Sequence, residues 1–219
     1  MTPRRAVGRP RLVPKIPSSD AREEILSAAA TLFELHGYTA TSTRAIADEV
    51  GLRQASLFHY FARKEDMLTE LLDRTVRPTL DLAGQNSLDE FDPDVALWLL
   101  AHEDVANLCS GPNNLGTLQL LPEVRSPEFE WFWRRRRKLF RVYSRHIDRG
   151  IASGDLPAAD GRTTCEVVFG LVESVITATP HFRRDATTPA VIADATLRVC
   201  GVSRSRIRRI PDTFELVDE

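Results

Sequence analysis

TSTRAIADEVGLRQASLFHYFARKEDML, residues 41–68, reads as two short helices joined by a tight turn and followed by the start of a third. Ile46, Ala47 and Val50 give the first helix one apolar edge. Gly51 stands where a helix must end with positive φ, since it has no Cβ to clash there. Leu52 is a small apolar plug, and Arg53 to Tyr60 predicts a second helix that mixes polar, basic and aromatic side chains. A helix that merely faces water has no need of Gln54, Ser56, His59 and Tyr60 crowded onto two turns. A helix lying in the DNA major groove does, because base edges demand donors, acceptors and flat apolar contacts. The competing reading is an ordinary αα-hairpin with a surface second helix, since glycine is common in such turns.

The segment resembles the DNA-binding domain of the TetR family of bacterial one-component regulators, through Thr43, Ile46, Ala47, Gly51, Leu52, Ser56, Leu57, Tyr60, Phe61, Lys64, Glu65 and Leu68. The resemblance covers about a quarter of the chain. It implies an all-α fold of about nine helices: a three-helix helix-turn-helix domain, then a larger helical domain for effector binding and dimerisation. It also implies that Thr43 and Arg44 touch backbone and base edges, and that the recognition helix presents Gln54, Ala55, Ser56, Phe58, His59 and Tyr60. Gln54 then suits a bidentate contact with adenine, and Ala55 a thymine methyl. Lys64 is expected to clamp a phosphate, a contact that positions without specifying. The family often has glycine where Ala55 stands and tyrosine where Phe58 stands, so another member's operator does not transfer to this chain.

Toward the N-terminus, Ile25, Ala28, Ala29, Leu32 and Phe33 recur at helical spacing, with Asp20 and Glu23 as an N-cap pair and Gly37 as the stop. Thr39 to Thr43 offers hydroxyls that suit either capping or phosphate contact. Residues 1–18 hold four prolines and scattered arginines and predict a disordered arm. Its Gly8-Arg9-Pro10-Arg11 core is like a minor-groove AT-hook, so Arg9 and Arg11 either enter an A·T-rich groove or attract phosphates non-specifically. Residues 1–15 carry five cations and no acid; residues 1–65 sum to +3 and the remainder to −5. A basic end on an acidic body fits a DNA-binding head attached to something else.

Toward the C-terminus, Met67, Leu68, Leu71, Leu72 and Val76 continue the next helix, and Pro78 marks its end or a kink. Residues 84–93 read as a polar loop. Asp92 to Cys109 predicts a helix with Trp98 and His102 on its apolar side, and residues 115–121 a short one. Pro127 opens a long helix to about Ser153, carrying Phe129, Trp131, Phe132 and Trp133 and then five successive cations, Arg134 to Lys138. Consecutive helical residues project all round the axis, so those cations predict ion pairs and not one basic face. The aromatic cluster is either core or the lining of a ligand cavity; the candidate lining is Trp98, His102, Phe129, Phe132, Trp133 and Phe169. Residues 162–179 and 189–199 predict two apolar helices with nothing left in the chain to cover both faces, which points to a second subunit. The resemblance implies a four-helix-bundle dimer here, with Val168, Leu171, Val172, Val175, Ile192 and Leu197 as its candidates. From Ser203 the tail shows no clear structure.

The expected layout is therefore an arm (1–18), a DNA-binding domain (19–66), an effector and dimerisation domain (67–202) and a flexible tail (203–219). Cys109, Cys165 and Cys200 lack CxxC spacing, which argues for reduced thiols in a cytoplasmic protein and against a disulfide framework or zinc site. No apolar run reaches the ~20 residues of a membrane span. No nucleophile–base set, phosphate loop or metal spacing stands out, so neither an enzyme nor a cofactor is expected. The expected function is a homodimeric repressor released from a palindromic operator on double-stranded DNA by a small-molecule effector. The alternatives are a nucleoid-associated protein or a helical ligand-binding domain with an incidental hairpin.

Overall fold

The computed structural model describes residues 21–84, 87–109, 114–177 and 185–210. These form ten α-helices and four short 3-10 helices, with no strand among the described residues. They divide into two compact units, one ending at Glu70 and the other beginning at Leu71. The arm with Arg9 and Arg11, and the cap expected at Asp20, lie outside the described residues.

The first unit holds α1 (Ala21–His36), α2 (Thr43–Glu49), α3 (Gln54–Leu57) and the start of α4 (Lys64–Arg74). Ile25, Ala29, Phe33, Ile46, Ala47, Leu57, Phe61, Met67 and Leu68 close its core, each at most 3% exposed. Gly51 has φ +69°, and the Gly51 and Leu52 amides donate back to Asp48 O (3.2 Å) and Ala47 O (2.8 Å). That pattern satisfies the last carbonyls of α2 and turns the chain sharply into α3. The second helix is shorter than the expected Arg53–Tyr60. Only one turn is α-helical, after which His59 and Tyr60 donate to Ser56 O (3.2 Å) and Leu57 O (2.9 Å) in tighter three-residue turns.

The second unit adds α5 (Arg77–Gly84), α6 (Pro93–Leu108), α7 (Glu130–Ser153), α8 (Gly161–Glu173), α9 (Thr188–Val199) and α10 (Arg204–Ile207). At its centre lies α6, packed against α5, α7, α8 and α9. Val95, Ala96, Leu97, Leu100, Ala101 and Val105 are buried, and no residue from Pro93 to Leu108 is fully exposed. Against its first turn packs Gly150 of α7, where an added Cβ would stand 3.1 Å from Pro93 Cβ and 2.5 Å from Leu156 Cγ. Pro78 starts an element and does not end one: α4 stops at Arg74, and Pro78 sits in the first turn of α5, where no N–H is needed. The polar loop contains a 3-10 turn, Ser87–Glu90, with Leu88 buried. The short helix expected at 115 is 3-10 throughout, Leu115–Leu120, and the long one expected at 127 begins with a 3-10 turn, Pro127–Phe129.

Part of the expected tail, residues 203–210, has structure of its own. Ser203 Oγ accepts from the Arg206 amide and caps α10. The Arg206 guanidinium donates to both Asp94 oxygens (2.7 and 2.9 Å) and to Asp92 (2.9 Å), so residues 203–210 are held onto the start of α6. No local pattern in the sequence could announce a partner 112 residues away.

Candidate nucleic-acid interface

The one-turn helix α3 has a sharply divided surface. Leu57 is fully buried beneath it, while Gln54, Ala55 and His59 are exposed, Phe58 is 47% exposed and Tyr60 44%. Ser56 is half-buried. Two aromatic rings and a histidine in water are costly to leave uncovered unless they meet something, and flat rings beside an amide suit base edges. Beside this face stand Thr43 and Arg44 at the start of α2, with Arg44 3.9 Å from Asp48 on open surface. Gln54 Nε2 donates to Thr43 Oγ1 at 2.8 Å, so the expected contact residues of α2 and α3 are brought together.

Lys64 has partners of its own within the unit. Its ammonium donates to Tyr38 O (2.6 Å) and Thr41 O (2.8 Å) and lies 4.0 Å from the Tyr38 ring centroid. It staples the start of α4 to the α1–α2 connection, because those carbonyls have no helical partner of their own. Lys64 therefore serves as a structural tie within the first unit. Sequence reasoning also missed Arg22, which pairs with Glu70 and covers the Phe61 ring at 4.5 Å. Its partners lie 39 and 48 residues away, beyond any local signal.

In the second unit the expected ligand residues separate. Phe129 (2% exposed) and Phe132 (1%) are core. Trp98 donates to Asp194 at 3.0 Å and stacks on His102 (4.9 Å, 17°), and burial holds that imidazole below its ordinary pKa. Trp133 and Phe169 line a cavity of about 310 Å³ with Arg136, Phe140 and Glu173. A second cavity, about 330 Å³, shares Trp133 and Glu173 with it. Arg136, only 4% exposed, pairs with Glu173 and lies over Phe169 at 4.8 Å. Behind it Asp104 accepts from Tyr143 at 3.2 Å, and burial pushes its carboxyl up to about 6. His146, buried on α7, is pushed down to about 4, chiefly by desolvation. Burial likewise raises the thiols of Cys165 and Cys200, to about 11 and 12.

The dimer candidates lie mostly inside the unit. Val168, Val172, Val175 and Leu197 are wholly buried within the unit, Ile192 is 7% exposed and Leu171 half-buried. Val168 and Val172 lie on the inner stripe of α8, Ile192 and Leu197 on that of α9, and Val175 in the turn after α8; the two helices pack on α6, on each other and, for α8, on α7. The apolar residues turned outward are their neighbours Val167, Val191 and Val199. Among the described residues no group of three or more His, Cys, Asp or Glu could hold a metal ion, and no helix is long and apolar enough to cross a membrane.

Residues 25–71 match the family described as bacterial regulatory proteins, tetR family. The HTH-type transcriptional repressor KstR2 of Mycolicibacterium smegmatis is 44% identical over 63 residues, 28% of this chain. That match spans about a third (31%) of the repressor's own length. AmtR of Mycobacterium smegmatis, known from its crystal structure, is 43% identical over 87% of this chain and 90% of its own, with a TM-score of 0.77. AibR, crystallised with isovaleryl coenzyme A and operator DNA, shares the fold at 19% identity (81% of this chain, 96% of its own, TM-score 0.63). With a relative this similar matched over nearly its whole length, and with α1 to α4 carrying the family's signature, the chain belongs to the TetR family of bacterial transcriptional regulators.

Proposed function

We propose that this chain is a homodimeric repressor that reads a palindromic operator and leaves it when a small molecule binds the second unit. The observation that carries this reading is the exposed face of α3, with Gln54, Ala55, Phe58, His59 and Tyr60 turned to solvent over a fully buried Leu57. One such face per subunit, paired by two-fold symmetry, reads half-sites about one helical turn apart. Residues 19–66 form the DNA-binding domain and 67–202 the effector and dimerisation domain. The outward valines of α8 and α9, Val167, Val191 and Val199, form the dimer face. The effector enters at Trp133 and Phe169, and release follows from its unequal affinity for two conformations. Support comes from the relatives: the KstR2 proteins are repressors, and AibR was crystallised with both an acyl-coenzyme A and operator DNA.

The test is a binding titration against the DNA flanking the chain's own gene, at two salt concentrations, with random duplex as competitor. A tight, competitor-resistant complex whose affinity falls steeply with salt is expected. Equal affinity for random duplex would overturn the reading in favour of an architectural DNA-binding protein.

A further inference from the structure

Three consecutive hydroxyls at the start of α2 do three different things. Thr41 is buried and donates to Leu32 O (3.1 Å) and Gly37 O (2.8 Å), tying down the end of α1. Ser42 is the N-cap, accepting from the Ala45 amide at 3.1 Å. Thr43 serves neither purpose. Its Oγ1 accepts from Gln54 Nε2 at 2.8 Å, across the turn and eleven residues along the chain, on exposed surface. Water would satisfy both groups there, so burial does not require this bond. What it does is remove rotamer freedom from a long polar side chain at the centre of the recognition face.

We propose that Thr43 is the positioning residue for base readout by Gln54, and that this pair selects adenine. The inference rests on α3 being the recognition helix. One N–H of the Gln54 amide is turned to Thr43. With the N–H trans to the carbonyl oxygen given to Thr43, the other N–H and that oxygen lie side by side, and the pair matches adenine, donating to N7 and accepting from N6. Thr43, having accepted from the amide, keeps its own hydroxyl proton for a phosphate oxygen. A flipped amide would need Thr43 to donate to it, which would withdraw that proton from the phosphate. Base contact and backbone contact are therefore joined through one oxygen atom, and the polarity of the chain of bonds runs one way.

The experiment enriches binding sites from a random-sequence duplex pool with the wild type, Thr43→Val, Thr43→Ser and Gln54→Ala. The wild-type site and its single A·T to G·C changes are then titrated. Wild type and Thr43→Ser should select the same adenine. Thr43→Val and Gln54→Ala should each lose on the order of tenfold in preference for it. Preferences elsewhere, salt slopes and unfolding midpoints should stay unchanged, since Ser42 still caps α2 and no charge is removed. A Thr43→Val protein that binds every sequence more weakly, with its adenine preference intact, would overturn the proposal and leave Thr43 a phosphate contact. If Gln54→Ala selects the wild-type site, or the wild type selects none, the recognition-helix reading itself fails and the proposal falls with it.

Discussion

Two stretches of this chain look alike on paper and behave oppositely in space. Arg53–Phe61 and Phe129–Lys138 each string aromatic residues together with basic ones. In the first, only Leu57 and Phe61 turn inward, while Phe58, His59 and Tyr60 stay in solvent. In the second, Phe132 and Arg136 are buried, Arg135 pairs with Asp73 and lies 5.3 Å from the Trp131 ring, and Arg137 pairs with Glu130. The difference lies in the surroundings and not in the composition. A one-turn helix buries a single residue's width, so most of its side chains have nowhere to go but out. A helix of 24 residues laid against α6 and α8 buries a whole stripe, and carboxylates from neighbouring elements collect the cations that fall along it. Aromatic-plus-cation composition marks a nucleic-acid surface only where the fold leaves it uncovered.

The strongest way to break this contrast is to truncate one ring on each side of it. Phe132→Ala should cost about 3–5 kcal/mol and lower the thermal midpoint by roughly 10 °C, because it opens a cavity in a closed core. Phe58→Ala should leave the midpoint within a degree or two while weakening operator binding. Equal midpoints for the two variants would mean the second stretch is no more buried than the first.

A smaller effect tests the buried charges around α7. Between about pH 4 and 6 the folded protein holds a proton on Asp104 that the unfolded chain releases, so that group's contribution falls as pH rises. Between about pH 4 and 6.5 the unfolded chain takes up a proton that folded His146 refuses, so its contribution rises with pH. The two oppose each other. Urea unfolding from pH 4 to 7 should therefore show Asp104→Asn gaining stability with pH more steeply than the wild type, by about 2 kcal/mol over the window, and His146→Gln less steeply. Curves parallel to the wild type would remove the argument from both groups.

The smallest expected effect belongs to Arg137, whose pair with Glu130 is more than half exposed. Arg137→Ala should change stability by no more than about 0.5 kcal/mol, measured by the same urea titration. A loss several times larger would show that the cation run is buried more widely than Arg136 alone.

How much was legible follows from the same contrast. The turn at Gly51, the inward Leu57 and Phe61, and the outward face of α3 could all be read, because each is decided within about ten residues. So could the dispersal of the cations after Trp133, since helical periodicity alone forbids one basic face. What the sequence hid was long-range. The Lys64 ammonium is taken by backbone carbonyls, which no side-chain pattern reveals. The most apolar positions in and just after α8 and in α9 are the ones a protomer keeps for its own core. The outward Val167 and Val191 of the proposed dimer face are residues that sequence alone cannot tell from Val168 and Ile192.

The Arg206 tie has a consequence for how the protein comes into being at the ribosome. Asp94, almost fully buried in the first turn of α6, takes its cation from a residue made 112 positions later. The same helix also packs against α9, another late element. A chain synthesised from its N-terminus therefore completes its DNA-binding unit early, while the central helix of the other unit waits, partly uncovered, until almost all of it has emerged. Closure of the second unit thus waits for α9 and Arg206, and those late elements set its timing.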